Sequence, residues 1–216
     1  MDFWTRLESL RESCNVLEHP FYQRWSAGEL SHSELAHYAG EYHHAVVALA
    51  RASENCAGAV DSQTEPVLRA ELDQHAREED SHIALWEGFS RALGTVAADD
   101  PNPETMACAS EWAGEPGEEL LDSLVTLYTI ESGQPEISAT KHAGLLRHYG
   151  LSSTEATAYF RLHEHLDVEH SSSARTLIEE RLGDGGQQQR LLTRAERVLR
   201  ANWLLLDGVE RVAHAA

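Results

Sequence analysis

The sequence is poor in the residues that build covalent or membrane frameworks. Its three cysteines, Cys14, Cys56 and Cys108, stand far apart with no Cys-x-x-Cys pair. A sparse, odd set excludes a disulfide scaffold and fits a reducing compartment, so a cytoplasmic location is expected. No apolar run approaches the roughly 18 residues a membrane-spanning helix needs. The first residues, MDFWTRLESLRESC, are amphipathic and mixed in charge, with no apolar run before a small-residue cleavage site. No signal peptide is expected there. Basic residues are scarce, 17 Lys and Arg against 36 Asp and Glu, for a formal net charge of −19. So acidic a surface repels nucleic acid and anionic membranes. Alternating β-type patterning, internal repeats and low-complexity tracts are also missing, which leaves a helical fold.

What is present is apolar periodicity at helical spacing. With 216 residues, 42% of them hydrophobic, the chain is long enough for one domain, expected over 1–216, with a real core. The pattern predicts a helix over 3–17, stopped by His19-Pro20, then an aromatic connector at 21–25, short-helical or irregular. Ser31 and Glu34 form a capping box for a helix reaching about Gly58. A helix from Pro66 to Leu93 follows, then a loop at 95–103 and a short helix at 104–112. A long helix from Glu118 to about His148 should be kinked by Pro135. Ser152 or Ser153 caps a helix reaching about Leu182, and a last helix spans about 187–213. The expectation is an all-α bundle of about seven helices.

Thirteen histidines are many, and several share helical register with acids. His163, Asp167 and His170 stand at i, i+4 and i+7, within roughly 60° on one helix face. Two imidazoles and a carboxylate on one stripe suit iron, manganese or zinc, and open positions on such a set are where dioxygen chemistry occurs. The alternative is a solvated acidic helix. Glu71, His75, Glu78 and His82 share a face of an earlier helix, and Glu79 with His82 makes a Glu-x-x-His pair, the spacing of carboxylate-bridged dimetal bundles. Here a charged outer face is the competing expectation, opposed by the apolar Leu85, Trp86 and Phe89 that follow. Glu131 lies within an otherwise apolar helix, where an ionised carboxylate costs several kcal/mol unless paired. A metal would offset that cost; so would a solvent edge or a basic partner.

These residues resemble the haem-oxygenase-like diiron oxidases. The resemblance rests on Glu-Ser-x-x-Pro-Glu-x-x-x-x-Lys from Glu131 to Lys141 and on His-x-x-x-Asp-x-x-His from His163 to His170. It also rests on the stretch from His19 to Ser31, on Tyr38-Ala39-Gly40-Glu41-Tyr42, and on the segment from His82 to Gly94. It covers about residues 17 to 210, its motifs fall in the same order, and it is strongest toward the self-sacrificing para-aminobenzoate synthases. The TenA thiaminases and PqqC share the fold.

The resemblance implies a helical bundle, a homodimer, and two metals, iron or iron with manganese, that activate dioxygen. It puts His82, Glu131, His163, Asp167 and His170 on ligand positions. The remaining family ligand, a glutamate seven residues before the first histidine, is His75 here. Either His75 ligates, or Glu71, Glu78 or Glu79 substitutes, or one metal position is weak. The resemblance also places Lys141 on a lysine the synthases need, Tyr22 on their sacrificed tyrosine, and Tyr159 on a site tyrosine. Ile130 stands where they have a further tyrosine. The expected function is a dimetal oxidase or oxygenase acting on a small, amino-acid-derived molecule. A para-aminobenzoate synthase-like reaction is an alternative. So are a cofactor-free PqqC-like oxidase, a TenA-like hydrolase needing a cysteine nucleophile, and a non-catalytic interaction protein.

Overall fold

A computed structural model describes residues 1–213. Among these residues there are ten α-helices, one 3-10 turn and no strand. The helices are α1 (Phe3–Ser13), α2 (Pro20–Ala27), α3 (His32–Gly58), α4 (Pro66–Ala92), α5 (Pro103–Ala113), α6 (Leu120–Glu131), α7 (Gln134–His148), α8 (Thr154–His163), α9 (Leu166–Arg181) and α10 (Gly185–Ala213). This is the all-α bundle expected from the periodicity. It exceeds seven helices because the aromatic connector forms α2 and because two long segments are each broken once.

Only the first break lies beside a residue singled out above. Pro135 has no N–H to donate to the carbonyl of Glu131 and crowds that turn, so the segment parts at Ser132–Gly133 instead of kinking. Pro135 then sits in the first turn of α7, where a missing donor costs nothing. The second break, at Glu164–His165, contains neither proline nor glycine. There the N–H of His165 bonds to the carbonyl of Leu162, at 3.1 Å, a tight 3-10 closure that ends α8. The continuous helix expected over 153–182 is therefore two helices, and His163 lies on a different one from Asp167 and His170.

The ends that are capped follow local chemistry. Ser31 and Glu34 satisfy each other's backbone donors in a capping box, and Ser153 accepts the N–H of Ala156. Glu41 is buried on α3. Its carboxylate accepts the N–H of Asn102 at 3.0 Å and the hydroxyl of Thr105, and so ties the start of α5 to α3. One hydrophobic cluster runs through the bundle. Its aromatic part packs Trp25 against Phe21, Tyr38, Phe89, Tyr149 and Phe160.

Gly144 makes that packing possible. A Cβ there would stand 2.6 Å from the Trp25 indole, which donates to the carbonyl of Lys141 at 3.1 Å. Because rings surround the indole, it cannot yield. Gly144→Ala should lower unfolding stability in urea by about 1–3 kcal/mol, although alanine alone would favour the helix. At Gly133 the nearest atom is Ile137 Cδ1 at 3.6 Å, so Gly133→Ala should be neutral or gain up to about 1 kcal/mol. Equal behaviour of the two variants would contradict this packing.

Candidate metal centre

Four helices aim titratable side chains at one interior point. From α4 come His75, Glu79 and His82, at i, i+4 and i+7; α6 ends on Glu131; α8 ends on His163; α9 begins with Asp167 and His170. Two groups could each hold an ion, His75, Glu79, Glu131 and His170 in one and Glu79, His82 and His163 in the other. Within each group the ligand atoms lie within 4.8 Å of one another. Glu79 belongs to both.

The distances are short. His75 Nε2 lies 2.9 Å from Glu131 Oε1 and 3.9 Å from Glu79 Oε1. His82 Nδ1 lies 3.2 Å from Glu79 Oε1. His170 Nδ1 is 3.8 Å from Glu79 Oε1 and 3.9 Å from Asp167 Oδ1. Yet nine of these atoms are buried without a hydrogen-bond partner. They are His75 Nε2, Glu79 Oε1, His82 Nδ1, both Glu131 oxygens, His163 Nε2, both Asp167 oxygens and His170 Nδ1. Buried polar atoms are nearly always satisfied, and lone pairs converging in this number could hold a cation. Imidazole with carboxylate suits iron, manganese or zinc.

The far sides of two of these histidines are fixed by the protein. His163 Nδ1 is 2.7 Å from the carbonyl of Tyr159, a contact that needs a proton on Nδ1 and leaves the Nε2 lone pair for the centre. His170 Nε2 is 3.1 Å from Glu78, which turns Nδ1 inward. The α4 acids thus separate into three places. Glu79 is in the cluster, Glu78 stands behind His170, and Glu71 is exposed. His75, at the position of the missing glutamate, faces the centre rather than solvent. The Glu-x-x-His spacing of Glu79 to His82 is the sequence signal for its central place, although the resemblance offers Glu79 only as one of three acids that could substitute for the missing glutamate.

Burial governs the protonation of the cluster. Burial, then the charges of Glu131 and Glu79, raises Asp167 from 3.8 to about 9. Burial lowers His163 from 6.5 to about 4. Burial opposes charge on Glu79, but His82, His163 and His75 together hold its pKa below the ordinary value. His75 is likewise opposed by burial and raised by Glu131.

A second layer lies against this one. Tyr159 stacks on His163, with ring centroids 4.0 Å apart, and meets Trp86 at 4.9 Å. Beyond them Lys141 is buried and donates to the Tyr38 hydroxyl at 2.8 Å, which lies 2.8 Å from that of Tyr22. Lys141 Nζ also stands 4.7 Å from the Tyr42 ring centroid and 4.8 Å from that of Tyr22. The rings favour the cation by about 2 kcal/mol when desolvated; burying an unpaired ammonium costs more. Burial therefore pulls the Lys141 pKa well below its usual value. The sequence brought in Lys141, Tyr22 and Tyr159 through the resemblance; Tyr38, which joins two of them, stood in a matched stretch without a role. The three cysteines are buried and none joins the cluster. Burial, and then Glu131, pushes the Cys56 thiol up to about 12, far from the thiolate a cysteine hydrolase needs.

The metal-free protein should show these shifts in its pH dependence. Asp167, raised when folded, contributes stability that is present below 3.8 and lost as pH rises to about 9. His163, lowered when folded, contributes stability that is present above 6.5 and lost as pH falls to about 4. The two oppose each other between about pH 4 and 6.5. Above pH 6.5 Asp167 and His75 lower stability as pH rises, while Lys141, whose pKa burial lowers, acts with the opposite sign. The Asp167 share is therefore read as a difference between proteins, up to about 1.4 kcal/mol per pH unit. Relative to the wild type, metal-free Asp167→Asn should gain stability in urea titrations as pH rises from 6.5 to 9; parallel profiles would contradict the assignment.

A family model described as an iron-containing redox enzyme matches residues 33–203. The chain is 30% identical to a 4-aminobenzoate synthase of Nitrosomonas europaea, over 96% of this chain and 90% of that one. It is 32% identical to a 4-aminobenzoate synthase of Chlamydia muridarum, over 83% of this chain and 78% of that one. In three dimensions it resembles a TenA homologue of Pseudomonas syringae, with a TM-score of 0.79 at 18% identity, covering 94% and 92% of the two chains.

Proposed function

Because this chain belongs to the family of iron-containing redox enzymes, we propose that its buried cluster holds two metal ions, both iron or one iron and one manganese. His75, Glu79, Glu131 and His170 would hold one, and Glu79, His82 and His163 the other, with Asp167 adding its carboxylate beside His170. Such ions, when bound, supply electrons to dioxygen and hence oxidising power toward a small organic substrate. The protein's part is to keep that chemistry dry, to fix His163 and His170 by their far nitrogens, and to give up the Asp167 proton as the cluster fills. The observation that carries this proposal is the convergence of nine unpartnered buried ligand atoms from four helices.

The finer proposal is a 4-aminobenzoate synthase-like reaction. Such a product joins an aromatic ring to an amine, and the site holds both kinds of group in contact. Lys141 is the single lysine of the chain, all other basic residues being arginine, and it is buried among phenols. Burial favours its neutral amine, whose lone pair is free to form a bond. Tyr38 joins that amine to Tyr22 and can pass a proton between them. Tyr159, stacked on His163, lies between this group and the cluster. Ile130, in place of a tyrosine, lines a separate cavity and takes no part. A homodimer is also proposed, from the resemblance. The apolar residues of α1 and α10 are mostly taken up in the core, so light scattering at micromolar concentration decides it.

A chain with one lysine permits a direct test. Protein grown on nitrogen-15 lysine, loaded anaerobically with ferrous iron and exposed to air with a reductant, should release 4-aminobenzoate carrying the label. Tyr22→Phe and Lys141→Arg should bind the same amount of iron and release none. Dioxygen uptake without 4-aminobenzoate would remove the synthase assignment and keep the oxidase; absence of both iron binding and uptake would remove the whole proposal.

A further inference from the structure

Most of the cluster is sealed. The Glu131 side chain is 0% exposed, and those of Glu79 and His82 are 3% exposed, whereas His75 keeps 15% and His170 12%. These two histidines open onto a cavity of about 270 Å³ between α4, α6 and α9. Leu68, Leu72, Leu124, Leu127 and Leu177 form its walls, and Glu71 and Glu78 are its carboxylates. Among the described residues no lysine or arginine lines it. Glu78 is held in place by Gln74 at 2.7 Å and by His170 at 3.1 Å. A second cavity, of about 180 Å³ beside α1, the α6–α7 junction and α10, is lined by no member of the cluster.

The structure assigns the α4–α6–α9 cavity as the route by which small uncharged molecules, dioxygen among them, reach the His75–His170 side of the cluster. An anion meets two carboxylates with no compensating cation. A metal ion is drawn across that rim and held by the cluster itself, so it does not pass through as a substrate would. An uncharged molecule with an apolar body meets no charge barrier and packs against the leucines, and cavities with such walls take up such molecules readily. The assignment rests on the metal-centre proposal for its end point, but the cavity itself does not.

Two probes of opposite character test it on iron-loaded protein: nitric oxide, which is neutral, and azide, an anion, each followed by stopped-flow absorbance of the iron. Ser173→Trp, at an exposed position lining the cavity, should slow nitric oxide binding about tenfold with iron content unchanged. Glu71→Lys, a surface change, should speed azide binding about tenfold and leave nitric oxide as it was. Wild-type nitric oxide rates in an iron-loaded Ser173→Trp, or an unchanged azide rate in Glu71→Lys, would overturn the assignment. A metal-free arm stands apart from the iron chemistry. Crystals under xenon should show the gas between Leu68, Leu72 and Leu124, and no xenon there would overturn the route even if iron binding fails.

Discussion

The structure depends on the cost of burying unpaired charge. Glu79, Glu131 and Asp167 lie where water cannot reach them, and three carboxylates in a low-dielectric interior cannot all stay ionised without cations. The protein's own groups meet only part of that demand. Asp167 holds a proton to about 9, and Glu79 leans on three histidines. Two divalent ions would bring four positive charges against three negative ones. The same constraint explains why α6 ends at Glu131, with Pro135 freeing its carbonyl, and why a helix without proline or glycine breaks after His163. Each break lets an interior acid or imidazole reach a common point.

The constraint extends outward in layers. Tyr159 links the cluster to a cage in which one amine is buried among phenols and indole. Deprived of a carboxylate partner, that amine is driven toward its neutral form, as a nitrogen that forms bonds requires. The acidic surface belongs to the same design, since a strongly negative protein with acids at its cavity rim disfavours anionic visitors and leaves uncharged ones free to enter.

Much of this was legible in the sequence. Apolar periodicity, the Ser31–Glu34 box and Pro66 located the long helices because those signals are local. His163, Asp167 and His170 were legible as a stripe, but the break at Glu164–His165 was not; it has no breaker residue and arises from packing around the centre. On α4, spacing put Glu71, Glu78, Glu79, His75 and His82 on nearly one face, and angle alone cannot say which reach the interior. Distance along the helix decides, since Glu71 lies a turn beyond the cluster and is exposed. Tyr38 stood in a matched stretch, but its role was not legible, for a different reason. Its place between Lys141 and Tyr22 is set by α2, α3 and the distant α7 together, and nothing in the pattern of any one of them encodes it.

The shared place of Glu79 is the centre of the account. Anomalous diffraction at the iron edge, from crystals grown anaerobically with ferrous iron, tests it most directly. The account predicts two peaks, one contacted by His75, Glu131 and His170 and the other by His82 and His163, with the Glu79 carboxylate reaching both. A single peak, or a Glu79 turned away from both positions, would contradict it.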